Sequence, residues 1–135
     1  MNPATLTGVV LDLGAVLGWC RRDPYPHAIA WATAGSGNTI VVPATVLAAA
    51  RALVPADQLD ILAALLGMPH TIVPALDLRI AAEVGGLLAE HPDADTLVPA
   101  AHAVHEAISR NWSVLTDRAT VLRGLHAEVQ ADPIP

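Results

Sequence analysis

The stretch VVLDLGAV, residues 9–16, decides the fold because it sets one carboxylate, Asp12, into a strongly hydrophobic part of the chain. Apolar residues precede Asp12, and apolar or small residues follow it. An ionised carboxylate that leaves water without gaining a partner costs several kcal/mol, which is more than a large aliphatic side chain gains on burial. We therefore expect a buried strand that ends at Asp12, with the carboxylate at an edge of the sheet or held by a partner.

Outward from this stretch, short apolar runs alternate with longer helical patterns. Strands are predicted over residues 6–12, 39–43, 70–74 and 112–117, because each run is short and ends in a carboxylate or a proline. Helices are predicted over residues 25–34, 44–54, 56–66, 77–90, 95–110 and 119–125. Strands that alternate with helices form βα units, so we expect an α/β fold in which a parallel sheet carries helices on both faces.

The composition fits a single domain. A chain of 135 residues buries about two thirds of its unfolded surface in one core. Apolar residues make up 53% of the sequence but include no Phe, so the core is expected to consist of Ala, Val, Leu and Ile. The single cysteine, Cys20, excludes an intrachain disulfide, and no basic segment precedes the first apolar run. We expect a cytoplasmic protein without a membrane segment.

The helix predicted over residues 77–90 has an apolar side and a charged side. Arg79 and Glu83 are four residues apart and are expected to form an ion pair on the exposed side. Gly85 and Gly86 each cost about 1 kcal/mol relative to Ala inside a helix. We expect the close approach of another backbone to compensate this cost.

The helix predicted over residues 95–110 contains the sequence HAVHE. The spacing of His102, His105 and Glu106 fits a transition-metal site, and it also fits a solvated flank on which Glu106 pairs with Arg110. We favour the solvated flank.

Two acidic residues end predicted strands. In an open α/β sheet, functional side chains gather beyond the carboxyl ends of the strands. Asp12 ends the first predicted strand and Asp117 ends the last, so the two carboxylates are expected at one edge of the sheet. Each of them could instead begin a turn or cap the next helix.

Arginines accompany both acidic residues. Arg21 and Arg22 follow Asp12, whereas Arg118 and Arg123 follow Asp117. They could form a phosphate-binding patch for RNA at one edge of the sheet. The net charge of −6 opposes attraction to nucleic acid, and an ordinary solvated face is the alternative.

Five motifs resemble a PIN domain of the VapC toxin type. They are GVVLDLGAVLGW from Gly8, VVPATVLAAARAL from Val41, EVGGLLAE from Glu83, AAHAVHEAISR from Ala100 and SVLTD from Ser113. The resemblance covers nearly the whole chain and implies one PIN-like domain over residues 1–135, folded as a three-layer α/β/α sandwich and usually dimeric. It also implies clustered carboxylates that bind Mg²⁺ or Mn²⁺ and cleave RNA, and a small antitoxin partner. Asp12 matches the first acid of the family.

Other positions depart from the family pattern. Ala49 stands where the helix after the second strand normally carries Glu, and Ala100 stands where the family has Asp. Asp95 lies five residues before Ala100, about 7.5 Å along a helix, and Asp93 lies further upstream. The last motif normally has a residue between Ser or Thr and the final acid, but here Asp117 follows Thr116 directly.

The candidate catalytic and metal-binding residues are therefore Asp12, Asp117 and Asp95. One or two carboxylates hold Mg²⁺ only weakly, and a two-metal centre needs bridging acids. We expect a degenerate metal site in a domain that acts by binding a protein or a nucleic acid. An active endoribonuclease that uses Mg²⁺ or Mn²⁺ is the first alternative, and a small-molecule binder on a parallel sheet is the second.

In a degenerate site, Asp12 is expected to be a structural anchor. Its carboxylate would accept hydrogen bonds from the backbone at the turn into GAVLGW and from Thr116 or Ser113. For association, the mean hydropathy of +0.48 and the Ala-rich helix TVLAAARAL favour an apolar helical surface. We expect a homodimer or a complex with a small antitoxin-like protein.

Overall fold

The computed structural model describes residues 7–135, in which five short strands form a parallel sheet, and four of these strands contain β-branched residues. Its strands are β1 (Gly8–Leu11), β2 (Thr39–Val41), β3 (Thr71–Ile72), β4 (Ser113–Thr116) and β5 (Ala131–Pro133). The spatial order is β3-β2-β1-β4-β5, so the first strand of the chain is central. Val10 pairs with Val41 on one side and with Val114 on the other.

The connections between the strands are helical, and the result is the predicted three-layer α/β/α sandwich. The helices are α1 (Leu13–Cys20), α2 (Pro24–Gly35), α3 (Ala44–Leu53), α4 (Leu59–Leu66), α5 (Leu78–Leu88), α6 (Val98–Arg110) and α7 (Ala119–Leu125). A 3₁₀ turn, Ala56–Gln58, precedes α4. None of the helices within residues 7–135 has the length and apolar character needed to cross a membrane.

The core consists of small and aliphatic side chains, as the composition predicts. Val10, Ile40, Leu115 and Val104 are completely buried, and they join the central strands to α6. A smaller cluster between α5 and α6 contains Ile80, Val84, Leu88 and Ala101. The α5 helix therefore packs on α6 through a cluster separate from the main core.

Two elements were not predicted from the sequence. The α1 helix, LGAVLGWC, continues the apolar run of β1 and contains two glycines, so it carries no amphipathic pattern. The β5 strand has only three residues, and one of them is proline. The four predicted strands are present but shorter than predicted. Leu6, the first residue of the first predicted strand, lies outside the described residues.

The expectation for Gly85 and Gly86 is wrong. A Cβ atom built on either glycine would have no other atom within 4 Å apart from neighbouring residues and the helix's own backbone. Within residues 7–135, no second backbone approaches α5 at these positions. The cost of two glycines in α5 is therefore not offset by close packing.

Candidate functional site

Asp12 lies at the carboxyl end of the central strand and is completely buried. Its backbone N–H donates to the Leu115 carbonyl at 3.0 Å, which extends the pairing of β1 with β4. It occupies the residue before α1, but its side chain makes no capping hydrogen bond there. The expectation that this carboxylate accepts hydrogen bonds from the turn into GAVLGW is therefore wrong.

The carboxylate of Asp12 is held instead by two residues from the end of β4. The Thr116 hydroxyl donates to Oδ2 at 2.8 Å. Arg118 approaches with two parallel bonds, from Nε to Oδ2 at 2.8 Å and from Nη2 to Oδ1 at 2.9 Å. A two-bond pair of this kind is among the strongest contacts that a carboxylate makes in proteins. Asp12 therefore has both of the environments expected for it, a sheet edge and a partner.

Local backbone geometry positions Arg118. The Thr116 hydroxyl, which donates to Asp12, accepts a hydrogen bond from the Arg118 N–H at 3.0 Å. The side chain of Arg118 is 25% exposed, so its outer edge reaches solvent. Hydrogen bonding to Asp12 raises the pKa of Arg118 above its ordinary value. Burial acts in the opposite direction and lowers this pKa, whereas the charges of Asp12 and Asp117 raise it further. The Arg118 guanidinium is thus a positive charge held against the Asp12 carboxylate.

Asp117 shares the same edge of the sheet, as predicted. It is exposed, and its carboxylate lies directly over Gly14, where any Cβ atom would collide with it. Gly14, Asp117 and Arg118 line a small cavity of about 160 Å³ at the start of α1. The charges of Asp12 and Asp117 therefore both act on the Arg118 guanidinium.

The third predicted ligand does not join them. Asp95 is exposed in the segment before α6, and Ala100, at the family's acidic position, is buried. Within residues 7–135, no three Asp, Glu, His or Cys side chains are grouped so that they could hold a metal ion. Both oxygens of Asp12 already accept bonds from Arg118. The residues present do not fit a Mg²⁺ or Mn²⁺ centre.

The four candidate RNA-binding arginines follow α1 or lie at or in α7. Arg118 is engaged by Asp12 beside the amino end of α1, whereas Arg21 and Arg22 follow its carboxyl end, about 12 Å away along the helix. Arg21 pairs with Asp23 at 2.9 Å, and Arg123 donates to the Ala131 carbonyl. A role of these residues in RNA binding stays a prediction.

The HAVHE motif gives its histidines different surroundings. His102 is completely buried, with Nδ1 2.8 Å from the Thr45 hydroxyl, and burial lowers its pKa. His105 instead contacts Glu83 of α5. Glu106 pairs with Arg110 as predicted, but the prediction of a solvated flank is wrong, because His102 and Glu106 are both buried.

Sequence reasoning missed the pair between Asp12 and Arg118, because Arg118 was assigned to a phosphate-binding patch. A signal for it was nevertheless present. A buried carboxylate whose usual acidic neighbours are replaced by alanine has no metal ion to balance its charge, so it needs another cation. Arg118 is the basic residue that directly follows Asp117 at the predicted edge.

A second feature is an apolar groove between α3 and α4. Its volume is about 530 Å³. The lining residues are Ala44, Leu47, Ala48, Arg51, Leu59, Leu62, Ala63 and Leu66. The predicted Ala-rich association helix therefore forms one wall of an open, mostly aliphatic groove.

Comparison with solved structures identifies the fold. The chain is similar to the crystal structure of VapBC2 from Rickettsia felis bound to a DNA fragment from their promoter, with a TM-score of 0.69 and 15% sequence identity over 96% of this chain and 100% of that chain. No protein-family model matches the sequence, and no curated protein matches it. VapC, named in that complex, is the toxin type that the sequence resembles. The chain therefore has a PIN-like α/β/α fold.

Proposed function

We propose that this chain is a VapC-like PIN domain that acts by binding a partner protein and not by efficient cleavage of RNA. The observation that carries the proposal is the pair between Asp12 and Arg118. The guanidinium supplies the positive charge that a buried carboxylate requires, and it does so from within the chain. A divalent cation would have to displace Arg118 before it could use both oxygens of Asp12.

The charge balance at this edge supports the same conclusion. Asp12 and Arg118 compensate each other, which leaves Asp117 as the remaining acid beside them. Asp117 is exposed, so water solvates it without a metal ion. A site with several converging acids needs a cation to offset mutual repulsion, whereas this edge does not.

Thermal unfolding with and without Mn²⁺, together with an RNA cleavage assay, tests the proposal. We expect the wild-type protein to show no Mn²⁺-dependent rise in Tm and no metal-dependent cleavage. Arg118→Ala frees Asp12, and we expect this variant to gain a measurable Mn²⁺ response. Arg123→Ala removes an exposed arginine from α7 and serves as the matched control, with no such gain.

One result would contradict the proposal. Metal-dependent cleavage by the wild-type protein that disappears in Asp12→Asn would show a working endoribonuclease, since a neutral amide is a poor ligand for a hard divalent cation.

For the partner, we propose an amphipathic helix of a small antitoxin-like protein, seated in the groove between α3 and α4. The groove is lined by Ala and Leu side chains, with Arg51 supplying a positive charge. Such grooves bind helices through apolar side chains that repeat at positions i, i+3, i+4 and i+7. An acidic residue on the partner beside this apolar row would pair with Arg51.

Selection of helical peptides against the wild-type protein tests the groove. Ala48→Glu places a charge in the groove, whereas Ala52→Glu places one on an exposed part of the same helix outside it. We expect selected peptides to bind the wild type and Ala52→Glu but not Ala48→Glu. Equal binding to all three proteins would exclude this groove. Sedimentation of the same three proteins without peptide tests the alternative occupant, which is a second copy of the chain. A dimer that forms through the groove would dissociate in Ala48→Glu but not in Ala52→Glu.

A further inference from the structure

Five charged or titratable side chains form a continuous row between α5 and α6, outside the candidate site. Arg79 Nη1 lies 3.2 Å from Glu83 Oε1, and Glu83 Oε2 contacts Nε2 of His105. On the other side of the ring, His105 Nδ1 lies 3.3 Å from Glu106 Oε2. Glu106 Oε1 then accepts from Arg110 Nε at 3.1 Å. His105 is the one member of the row that joins the pair on α5 to the pair on α6.

The position of His105 gives this row a specific protonation requirement. A neutral imidazole carries one N–H and donates from one nitrogen only, whereas an imidazolium donates from both. Both nitrogens of His105 face carboxylate oxygens. Both contacts are therefore attractive only when the ring carries two protons. The hydrogen bond from His105 also lowers the pKa of Glu83, which keeps that carboxylate charged.

The α5 helix contacts α6 through apolar side chains as well as through this row of charged side chains. The α5 helix contacts α6 through the small cluster that contains Ile80, Val84 and Leu88. Gly85 and Gly86 weaken the helix itself and fill no packed space. The row of charged side chains is therefore a second contact between the two helices, in addition to this apolar cluster.

We propose that Glu83, His105 and Glu106 form a pH-sensitive clasp that holds α5 against α6. With two protons, His105 bridges both carboxylates. With one proton it bonds to one carboxylate and presents a lone pair to the other, so α5 opens more often. Histidine is the side chain that ordinarily changes charge between about pH 5 and 8.

The other groups around His105 do not replace it. The Ser109 hydroxyl donates to the His105 carbonyl and leaves the ring free. His102 has Nδ1 on Thr45 of α3. His126, which follows α7, lines the adjoining cavity with Glu83 and His105, and its Nδ1 accepts from the Glu128 N–H. Arg79 pairs with Glu83 and Arg110 pairs with Glu106, so each carboxylate has an arginine partner besides His105.

Amide hydrogen exchange at about pH 6 and about pH 8, corrected for the intrinsic dependence of exchange on pH, tests the clasp. In the wild-type protein we expect protection of residues 78–88 to fall about threefold or more at the higher pH, relative to the protection of β1 and β4. His105→Gln is neutral throughout and should show equal protection at both pH values. Glu83→Gln replaces the carboxylate that α5 presents to His105 with a neutral amide, so this variant should also lose the pH dependence of protection.

His70→Asn is the matched control, since it removes an exposed histidine with a positive φ that Asn tolerates, and it should respond as the wild type does. Equal protection of residues 78–88 at both pH values in the wild type would overturn the proposal. A wild-type response that persists in His105→Gln would overturn it as well, because another group would then be responsible.

Discussion

At the scale of single residues, the ion pair between the buried Asp12 and the partly exposed Arg118 is the feature that distinguishes this site. A charge in a protein interior is tolerated when its partner also satisfies its hydrogen bonds, and it is strongly destabilising when that partner is removed. The three bonds from Thr116 and Arg118 meet this condition. Because of these bonds, substitutions of Asp12 are expected to lower the free energy of unfolding by more than the sequence alone indicates.

We predict that Asp12→Ala lowers the free energy of unfolding by about 2–4 kcal/mol, because it leaves the Thr116 hydroxyl and the Arg118 guanidinium without their acceptor. From the sequence alone, Asp12→Asn would cost little. With Arg118 in place it should cost at least about 1 kcal/mol, since the amide keeps one acceptor oxygen but removes the countercharge. Urea unfolding of the variants measures both values.

A double-mutant cycle with Arg118→Ala identifies the cause. The combined variant should lose less than the sum of the two single variants, by about 1–3 kcal/mol. Arg123→Ala combined with Asp12→Ala should be additive. Additivity in both combinations would mean that Arg118 does not stabilise Asp12.

The sequence predicted where Asp12 and Asp117 lie, because both positions follow from the rule that parallel strands end at a common edge. It also predicted the hydrogen bond from Thr116 to Asp12, but it did not predict the ion pair with Arg118. The choice between a backbone cap, a metal ion and Arg118 depends on the side-chain conformation of Arg118, which no spacing rule encodes. The burial of His102 was missed for the same reason, since its hydroxyl partner, Thr45, comes from a different helix.

At the scale of elements, the amphipathic helices were predictable and the apolar one was not. The α5 helix shows its buried face as a regular spacing of Ile80, Val84 and Leu88. The α1 helix has no such contrast, because five of its eight residues are buried. The three-residue strand β5 is defined by its pairing with β4 and not by its own sequence.

Glycines in two elements give opposite predictions. Gly85→Ala in α5 should raise the free energy of unfolding by about 0.5–1 kcal/mol, because the new methyl group enters open space and Ala favours the helix. Gly8→Ala in β1 should lower it by about 1–3 kcal/mol, since a Cβ atom there would collide with the Thr39 carbonyl and the Trp112 ring. Thermal and urea unfolding measure the two signs. A stabilised Gly8→Ala would mean that Trp112 moves aside at little cost.

At the scale of the whole molecule, the buried histidine predicts a loss of stability in acid. Burial lowers the pKa of His102 in the folded state, so the unfolded state takes up this proton first as the pH falls. The contribution of His102 to stability is therefore complete above about pH 6.5 and decreases below it. Urea unfolding at about pH 7 and about pH 5.5 should show a smaller loss for His102→Gln than for the wild type. An identical loss in both proteins would assign the acid sensitivity to other groups.

The order of the strands also has a consequence for synthesis on the ribosome. The central strand β1 is made first, but its neighbour β4 is among the last elements to be made. A nascent chain that has reached Arg110 contains Asp12 but neither Thr116 nor Arg118, so native burial of β1 would leave an uncompensated charge. The growing polypeptide therefore has to keep β1 unpaired on one side, and its acid solvated, until β4 and Arg118 have been synthesised.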